Sequence, residues 1–447
     1  MGDKLLIRAY DVSVGDCIYC RIPGAKAVRG GTEDFHVLID CGSLGRANYL
    51  DAAIEDLKTL LPNAGRGKKR IDLLVATHEH KDHIIGLDPA RFEDIKIEHI
   101  WMNAAMQPDH PQAGRTHRLH ALAAAAMQQL QSLNMSLGPE LQALAGQFDL
   151  SMREAAVALR ETLPARNGIE PDYVHAGQTS EDLGLSLKDT TIHVLGPEND
   201  VDHFYLGEAA DESLRGLEAV EAGLAARATA EGGSYPANIS LSDFRTLQSR
   251  MASAALAFAE LSEKVTNNTS VVLLIEWKGK RLLFVGDAEW LSRFKDGINN
   301  GSWNVMWHER RDLLDAPIDF LKIGHHGSVN ATPWQEQGGR ARTEPGTILD
   351  AILPLPAGRA KPKAVAVVST RRERFETIPC SPLLVEIGKR VRNVRNYKRE
   401  LEDRGLSPSE LPKFELEKDH IDVLQPQRTD WEFFLSGKNY VDIEIEA

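Results

Sequence analysis

The sequence predicts an α/β protein, a β-rich frame interrupted by two helical blocks within one enlarged domain. Short apolar runs that stop at Gly, Pro, Asp or Asn fill the first 105 residues and return from residue 270 onward. Between them lie two stretches with the Ala/Leu content and spacing of amphipathic helices. No Gly/Ser-rich or Pro-rich linker separates these blocks. At about 150 residues per domain, 447 residues would suggest three domains. The missing linkers favour a single unit over 1–447, with mainly helical insertions at 105–190 and 204–264.

Element by element, LLIRAY, CIYCRI, HVLID, IDLLVAT and IEHIWM read as strands. The segment NYLDAAIEDLKTLL (48–61) carries a helical apolar face, as do RTHRLHALAAAAMQQLQSL and SMREAAVALRETL. Strands resume at TIHVLGP, SVVLLIEW, RLLFVGD, DFLKIG, AVAVVS and YVDIEIE, and residues 330–362 read as a long loop. In CIYCRI the two cysteines are three apart and point to opposite faces, so Cys17 and Cys20 read as buried thiols. The Ala/Leu stripes of the insertions read as core packing, with a cover for the site edge or a self-association or partner surface as the alternative.

Composition narrows the class. Hydrophobic residues at 42% and charged residues at 26% exclude wholesale disorder. No apolar run approaches the roughly 20 residues of a membrane span, and no secretory signal is visible, so a cytoplasmic protein without membrane contact is expected. The net charge of −13 argues against general nucleic-acid binding, but the charge is uneven. From Gly339 to Arg399 there are 14 Lys/Arg against 5 Asp/Glu, with RRER at 371–374 and GKRVRNVRNYKR at 388–399. With GRGKKR at 65–70, these runs are candidates for a phosphate-attracting rim, or else are simply solvated faces.

The chemistry is concentrated in THEHKDH, which follows the strand LLVAT and places His78, His80, Asp82 and His83 within six residues. On extended chain His78 and His80 project to the same side and can converge on one cation. Asp82 and His83 fall at the turn, where a second cation could be served. Imidazole with carboxylate suits Zn²⁺ first, with Mn²⁺ or Fe²⁺ as alternatives, over Mg²⁺ or Ca²⁺.

Together with DVSVGD (11–16), HVLIDCG (Asp40, Gly42), NNTSVVLLIEWKGKRLLFVGDAE (Asn267, Asn268, Ser270, Gly286, Asp287) and LKIGHHGS (321–328), this motif resembles the metallo-β-lactamase superfamily. Within it, the order and spacing are closest to the hydrolase domain of the ComEC-type competence proteins. The resemblance implies a four-layer αββα sandwich with a two-metal site along one edge. It implies His78 and His80 on the first metal, Asp82 and His83 on the second, and Asp287 bridging both. One of His325 and His326 would complete the second site; His326 is favoured because superfamily ligand histidines often precede Gly. A further first-metal histidine, sought among His110, His117, His120, His175, His193 and His203, has no recognisable motif. Where that branch usually has His-Pro, this chain has Ile378 and Pro379.

The expected function is a soluble metal-dependent phosphodiesterase or nuclease acting on nucleic acid or a nucleotide. Two cations would lower the pKa of a shared water to give hydroxide near neutral pH. Asp82 would also orient that nucleophile, His325 would serve as general acid or oxyanion donor, and Lys322 would contact phosphate or be structural. The alternatives are hydrolysis of another ester or amide (a lactone, phosphocholine ester or peptide), or a non-catalytic metal-containing binding protein.

Overall fold

The computed structural model describes residues 3–132, 139–207, 241–335, 342–358, 360, 362–370, 377–391 and 439–447. Each predicted strand appears. The strands are β1 (Lys4–Tyr10), β2 (Cys17–Val28), β3 (Gly31–Cys41), β4 (Asn63–Gly65), β5 (Lys68–Ala76), β6 (Ile95–Asn103) and β7 (Asp172–Val174). There follow β8 (Thr190–Gly196), β9 (Val272–Trp277), β10 (Lys280–Phe284), β11 (Phe320–Lys322), β12 (Val365–Val367) and β13 (Tyr440–Glu446). One sheet runs β13-β1-β2-β3-β5-β6-β7, with β4 on β5; the other runs β12-β11-β10-β9-β8.

The two sheets pack face to face. Ile7, Ile39, Leu73 and Val75 of the first share one core with Ile192, Leu273, Ile275, Leu282 and Phe284 of the second. Strand side chains alternate, so each sheet needs a second apolar cover. On the first sheet, Leu38, Leu74 and Ile100 meet Leu50, Ile54 and Leu57 of the helix Ala47–Leu60. On the second, Leu274, Leu283 and Leu321 meet Trp303 and Met306 of Ser302–Glu309 and Ile348 and Leu349 of Glu344–Ile352. Helix, sheet, sheet, helix is the αββα sandwich that the motifs implied. Cys17 and Cys20 lie in different cores on opposite faces of β2, as the spacing predicted.

The stretch expected as a loop over 330–362 contains the nine-residue helix Glu344–Ile352. Thr343 caps it by accepting from Gly346 N–H, Pro345 sits in its first turn, and Ile348, Leu349 and Ile352 are buried. Three apolar anchors in nine residues give too little periodicity to read amid Gly and Pro. The Ala-rich stripe packs as core: Ala123, Ala126 and Met127 meet Leu144, Phe148 and Ala259.

The parallel pairings β3/β5, β5/β6, β10/β11 and β11/β12 turn several strand carboxyl ends toward the loops that follow them. Those ends are where α/β sheets usually bind ligands. The chain's last strand, β13, closes the opposite flank beside β1. Arg8 pins it there, with Nε 2.7 Å from Asp442, Nη1 2.6 Å from Asp56 and the guanidinium over the Tyr440 ring. Arg8→Ala should cost about 1.5–3 kcal/mol, the worth of hydrogen bonds to charged groups, measured by urea unfolding.

Candidate metal centre

His78 and His80 leave the carboxyl end of β5, and Asp82 and His83 begin the short helix Lys81–Ile84. Asp287 follows β10, the His325–His326 pair follows β11, and Asp40 is near the end of β3. All converge at one edge of the sandwich, although Asp82 and His326 are 244 positions apart in sequence. Besides the group Asp16, Asp40 and His83, two sets of donor atoms result: Asp82, His83, Asp287 and His326, and His78, His80 and Asp287, each within 4.8 Å of one another. Asp287 is common to both. Its Oδ2 is 3.2 Å from His83 Nε2 and 3.7 Å from His78 Nε2. His326 Nε2 is 2.8 Å from Asp82 Oδ2, and His78 Nε2 is 3.0 Å from His80 Nδ1.

The outer nitrogens of these rings are anchored, which points the inner ones at the centre. His83 Nδ1 is 2.7 Å from Asp40 Oδ2, and His326 Nδ1 donates to the Ser369 carbonyl at 2.8 Å. His78 Nδ1 is 3.0 Å from Thr77 Oγ1 and 3.2 Å from Ser270 Oγ. Asp40 also accepts from Thr77 N–H and Oγ–H, while Ser270 Oγ accepts from Asp287 N–H. His83 Nε2 is buried with no hydrogen bond of acceptable direction. A donor so placed, beside other lone-pair donors and two buried carboxylates, fits divalent cations.

Burial would lower the His83 imidazole, but Asp287 and Asp40 raise it well above its ordinary value. Burial pushes the His78 imidazole far down and His80 to about 4, so both are neutral ligands near neutral pH. Burial would raise Asp82, but His326 and His83 hold it below the usual carboxylate range. Burial opposes Asp287 likewise, and His83 and His325 overcome it. The backbone is strained at this edge: Asp40, His325 and His326 have φ of 56°, 40° and 52°. Gly42 is required where it is, because a Cβ would lie 2.1 Å from the backbone of Asp82 and His83.

Of the adjacent histidines, His326 is the one in the donor set. His325 stands beside it, its N–H 3.0 Å from Asp287 Oδ1 and its Nδ1 2.8 Å from Glu289 Oε1. Burial would lower His325, yet Asp287 and Glu289 bring it up to about 10. Glu289 is 4% exposed and received no role from the sequence, although its place two residues after Asp287 was a usable signal. Glu263, on the helix Leu241–Asn268, is pushed up to about 7 by burial and then by Asp82 and Glu289, and no motif marks it. Gln147 is a further addition: its Nε2 is 3.5 Å from Asp82 Oδ1, and its Oε1 accepts from Lys81 N–H at 2.7 Å.

Two expectations need correction, the phosphate contact of Lys322 and the phosphate-attracting rim of the basic runs. Lys322 does not face substrate; it is 1% exposed, with Nζ 2.9 Å from Asp16 Oδ2 and 2.9 Å from the Ile323 carbonyl. The GRGKKR cluster enters at the start of β5, roughly 30 Å of extended chain from His78. There Arg70 pairs with Glu33 and Asp72. Described members of the later basic run are structural: Arg390 joins Asp350 and Glu386, and Lys389 pairs with Glu386. RRER at 371–374 and residues 392–399 lie outside the described residues. The sought first-metal histidine is absent from both donor sets among the described residues. His117 bonds the Ala105 carbonyl, His110 Asn199, His193 Glu276 and His203 Asp296, while His120 sits beside Ser262 and His175 beside the Ala176 carbonyl.

Asp40→Ala should lower metal affinity about 10- to 100-fold with the fold retained, read by competition against a chelator. Lys322→Met strands a buried Asp16 and should cost about 3–5 kcal/mol in denaturant unfolding. A change in KM without that destabilisation would restore a substrate role to Lys322.

Residues 27–209 match the family model of the Metallo-beta-lactamase superfamily. The match spans His78 to His83, while Asp287 and the His325–His326 pair lie beyond it and are brought in by the fold. No curated protein matches the chain. Among the described residues, no helix is long and apolar enough to cross a membrane. The superfamily consists mostly of metal-dependent hydrolases, and the histidine–aspartate clusters fit divalent metal binding. The αββα sandwich is consistent with the family match over residues 27–209.

Proposed function

We propose that the protein is a metal-dependent phosphodiesterase acting on nucleic acid or a nucleotide. The observation that carries the hydrolase part is the sharing of Asp287 between two buried donor sets. Cations held there supply Lewis acidity and lower the pKa of water toward neutrality. His78, His80 and Asp287 would hold one, and Asp82, His83, Asp287 and His326 the other. Zn²⁺ suits this mixture first, and Mn²⁺ or Fe²⁺ would also fit.

Around them the chain's own groups do the rest. Asp82 keeps one oxygen on His326, and Gln147 approaches the other, which fixes the carboxylate plane. His325 is more open than His326, with 23% of its side chain exposed, and Glu289 holds its Nδ1. Its other ring nitrogen is thereby left to donate a proton to a leaving oxygen or to stabilise charge on phosphate.

The phosphodiester part rests on the ComEC-like order of motifs. DVSVGD, Asp40, Ser270, Asp287 and the His325–His326 pair, dispersed in sequence, surround one point. Asp16 accepts the Gly42 N–H through its carbonyl and donates its own N–H to the Asp82 carbonyl. The described basic residues give no support to a polymer track, so a nucleotide-sized substrate is as well supported as a nucleic acid.

Purified protein with Mn²⁺ or Zn²⁺ should cleave at least one of single-stranded DNA, RNA, a cyclic dinucleotide and bis(p-nitrophenyl) phosphate, and EDTA should stop it. Asp287→Asn and Asp82→Asn should each lower turnover by about 100-fold or more, on the scale of removing one electrostatic group from a reacting centre. Turnover of a lactone or peptide with every phosphodiester left intact would refute the substrate assignment while keeping the hydrolase.

A further inference from the structure

Behind the metal loop lies a cavity of about 480 Å³, bounded by that loop, the helices Gly114–Ser132 and Leu150–Val157, and the end of Leu241–Asn268. That volume is in the range of small-molecule sites and far above the packing voids of a native core. Its walls are mostly apolar, with Met106, Ala121, Ala124, Phe148 and Met152 among them. Several polar lining groups are already used by the fold. Asn103 donates to the Thr77 carbonyl and accepts from Met106 N–H, Gln147 accepts from Lys81 N–H, and Asp149 holds Lys81 Nζ at 2.9 Å.

Among the described lining residues, one arginine has no ion pair. Arg153 lines the cavity, is exposed, and makes no ion pair among the described residues. Arg160 makes only 3.4 Å contacts, to Glu79 and to the Met106 carbonyl. An unpaired arginine beside an apolar chamber fits a molecule with an apolar body and one anionic group.

The same walls grip the metal loop by the residues that are not metal ligands. Glu79 stands between His78 and His80 and turns away from them into the cavity, where its Oε1 is buried without a hydrogen bond. Lys81 is held by Asp149, and Gln147 reaches both Lys81 N–H and Asp82. A molecule that shifted Phe148 or Arg160 would move Gln147 or Glu79, and with them His80 and Asp82.

We propose that this cavity binds a compact organic anion with an apolar body, and that its occupancy alters the metal affinity of the adjoining loop through Gln147 and Glu79. The binding half is independent of the phosphodiesterase reading; the coupling half rests on His80 and Asp82 being ligands.

The test uses the full chain and 8-anilinonaphthalene-1-sulfonate, a flat apolar anion, followed by fluorescence. One saturable site is expected. Ala124→Phe, which fills the chamber, and Arg153→Glu, which reverses an exposed charge without touching the core, should each weaken it at least tenfold. Equal binding by wild type and Arg153→Glu, or no binding by wild type, overturns the site. In the second arm, Mn²⁺ affinity is measured with and without saturating probe, and probe affinity with and without Mn²⁺. The two should change by the same factor, at least threefold, because linkage is reciprocal. An unchanged Mn²⁺ affinity overturns the coupling. Probe binding with no Mn²⁺ uptake in either condition refutes the ligand reading instead.

Discussion

The edge of the sandwich is organised around a crowding of like groups that would be unstable without something between them. Asp82 and Asp287 are buried, as are His78, His80, His83 and His326. Buried charge and buried unpaired polar atoms each carry a desolvation cost. Part of that cost is met by pairing imidazole with carboxylate, as in His326 with Asp82 and His83 with Asp40. The approach of His78 Nε2 to His80 Nδ1 is different, because two neutral imidazoles can satisfy each other there through only one proton. A cation between the donors resolves this crowding at once, which is why the donor set is more telling than any single residue in it.

The rest of the fold acts to keep those donors in place. Asp40 takes the far side of His83, Ser369 that of His326, and Thr77 with Ser270 that of His78. Each anchor stands at or just beyond the end of β3, β5, β12 or the segment entering β9. Ring orientation is therefore set by the backbone of both sheets, and the core between the sheets holds the two halves of the site in register. The Lys322–Asp16 pair has the same character. It ties β11 to the turn whose backbone holds Gly42 and the Asp82 carbonyl. A side chain that looked like a substrate contact is a strut.

What could be read beforehand follows from how local each signal is. Strand alternation in HVLID or YVDIEIE and the dense H-x-H-x-D-H are properties of a few neighbouring residues, and they appear as expected. Asp287 and His326 were placed by the resemblance of their motifs, and the folded chain brings both to His83. Lys322 was ambiguous because its neighbour Asp16 is 306 positions away. Gln147 carried no signal, since one polar residue ending an Ala/Leu-rich helix looks like surface. The charge of GRGKKR was visible but not its place on β5, and strand direction put it at the wrong end. The helix Glu344–Ile352 was hidden by the Gly and Pro around it.

The helical insertions change how such a site can be controlled. From the sandwich itself the loop is braced by Gly42, Asp16, Asp40, Ser270 and Asn103. Here the non-ligating side chains of the loop, Glu79 and Lys81, each have a partner on inserted chain, Arg160 and Asp149. Gln147 adds a contact to the backbone between them. The loop is thus held from two sides, by the sheets through its ligands and by the insertion through the residues in between. The loop just beyond β5 makes that division, with Glu79 lining the cavity and His78 and His80 in the donor set. A cavity on that far face therefore touches the loop through Glu79, while the donor residues themselves do not line it.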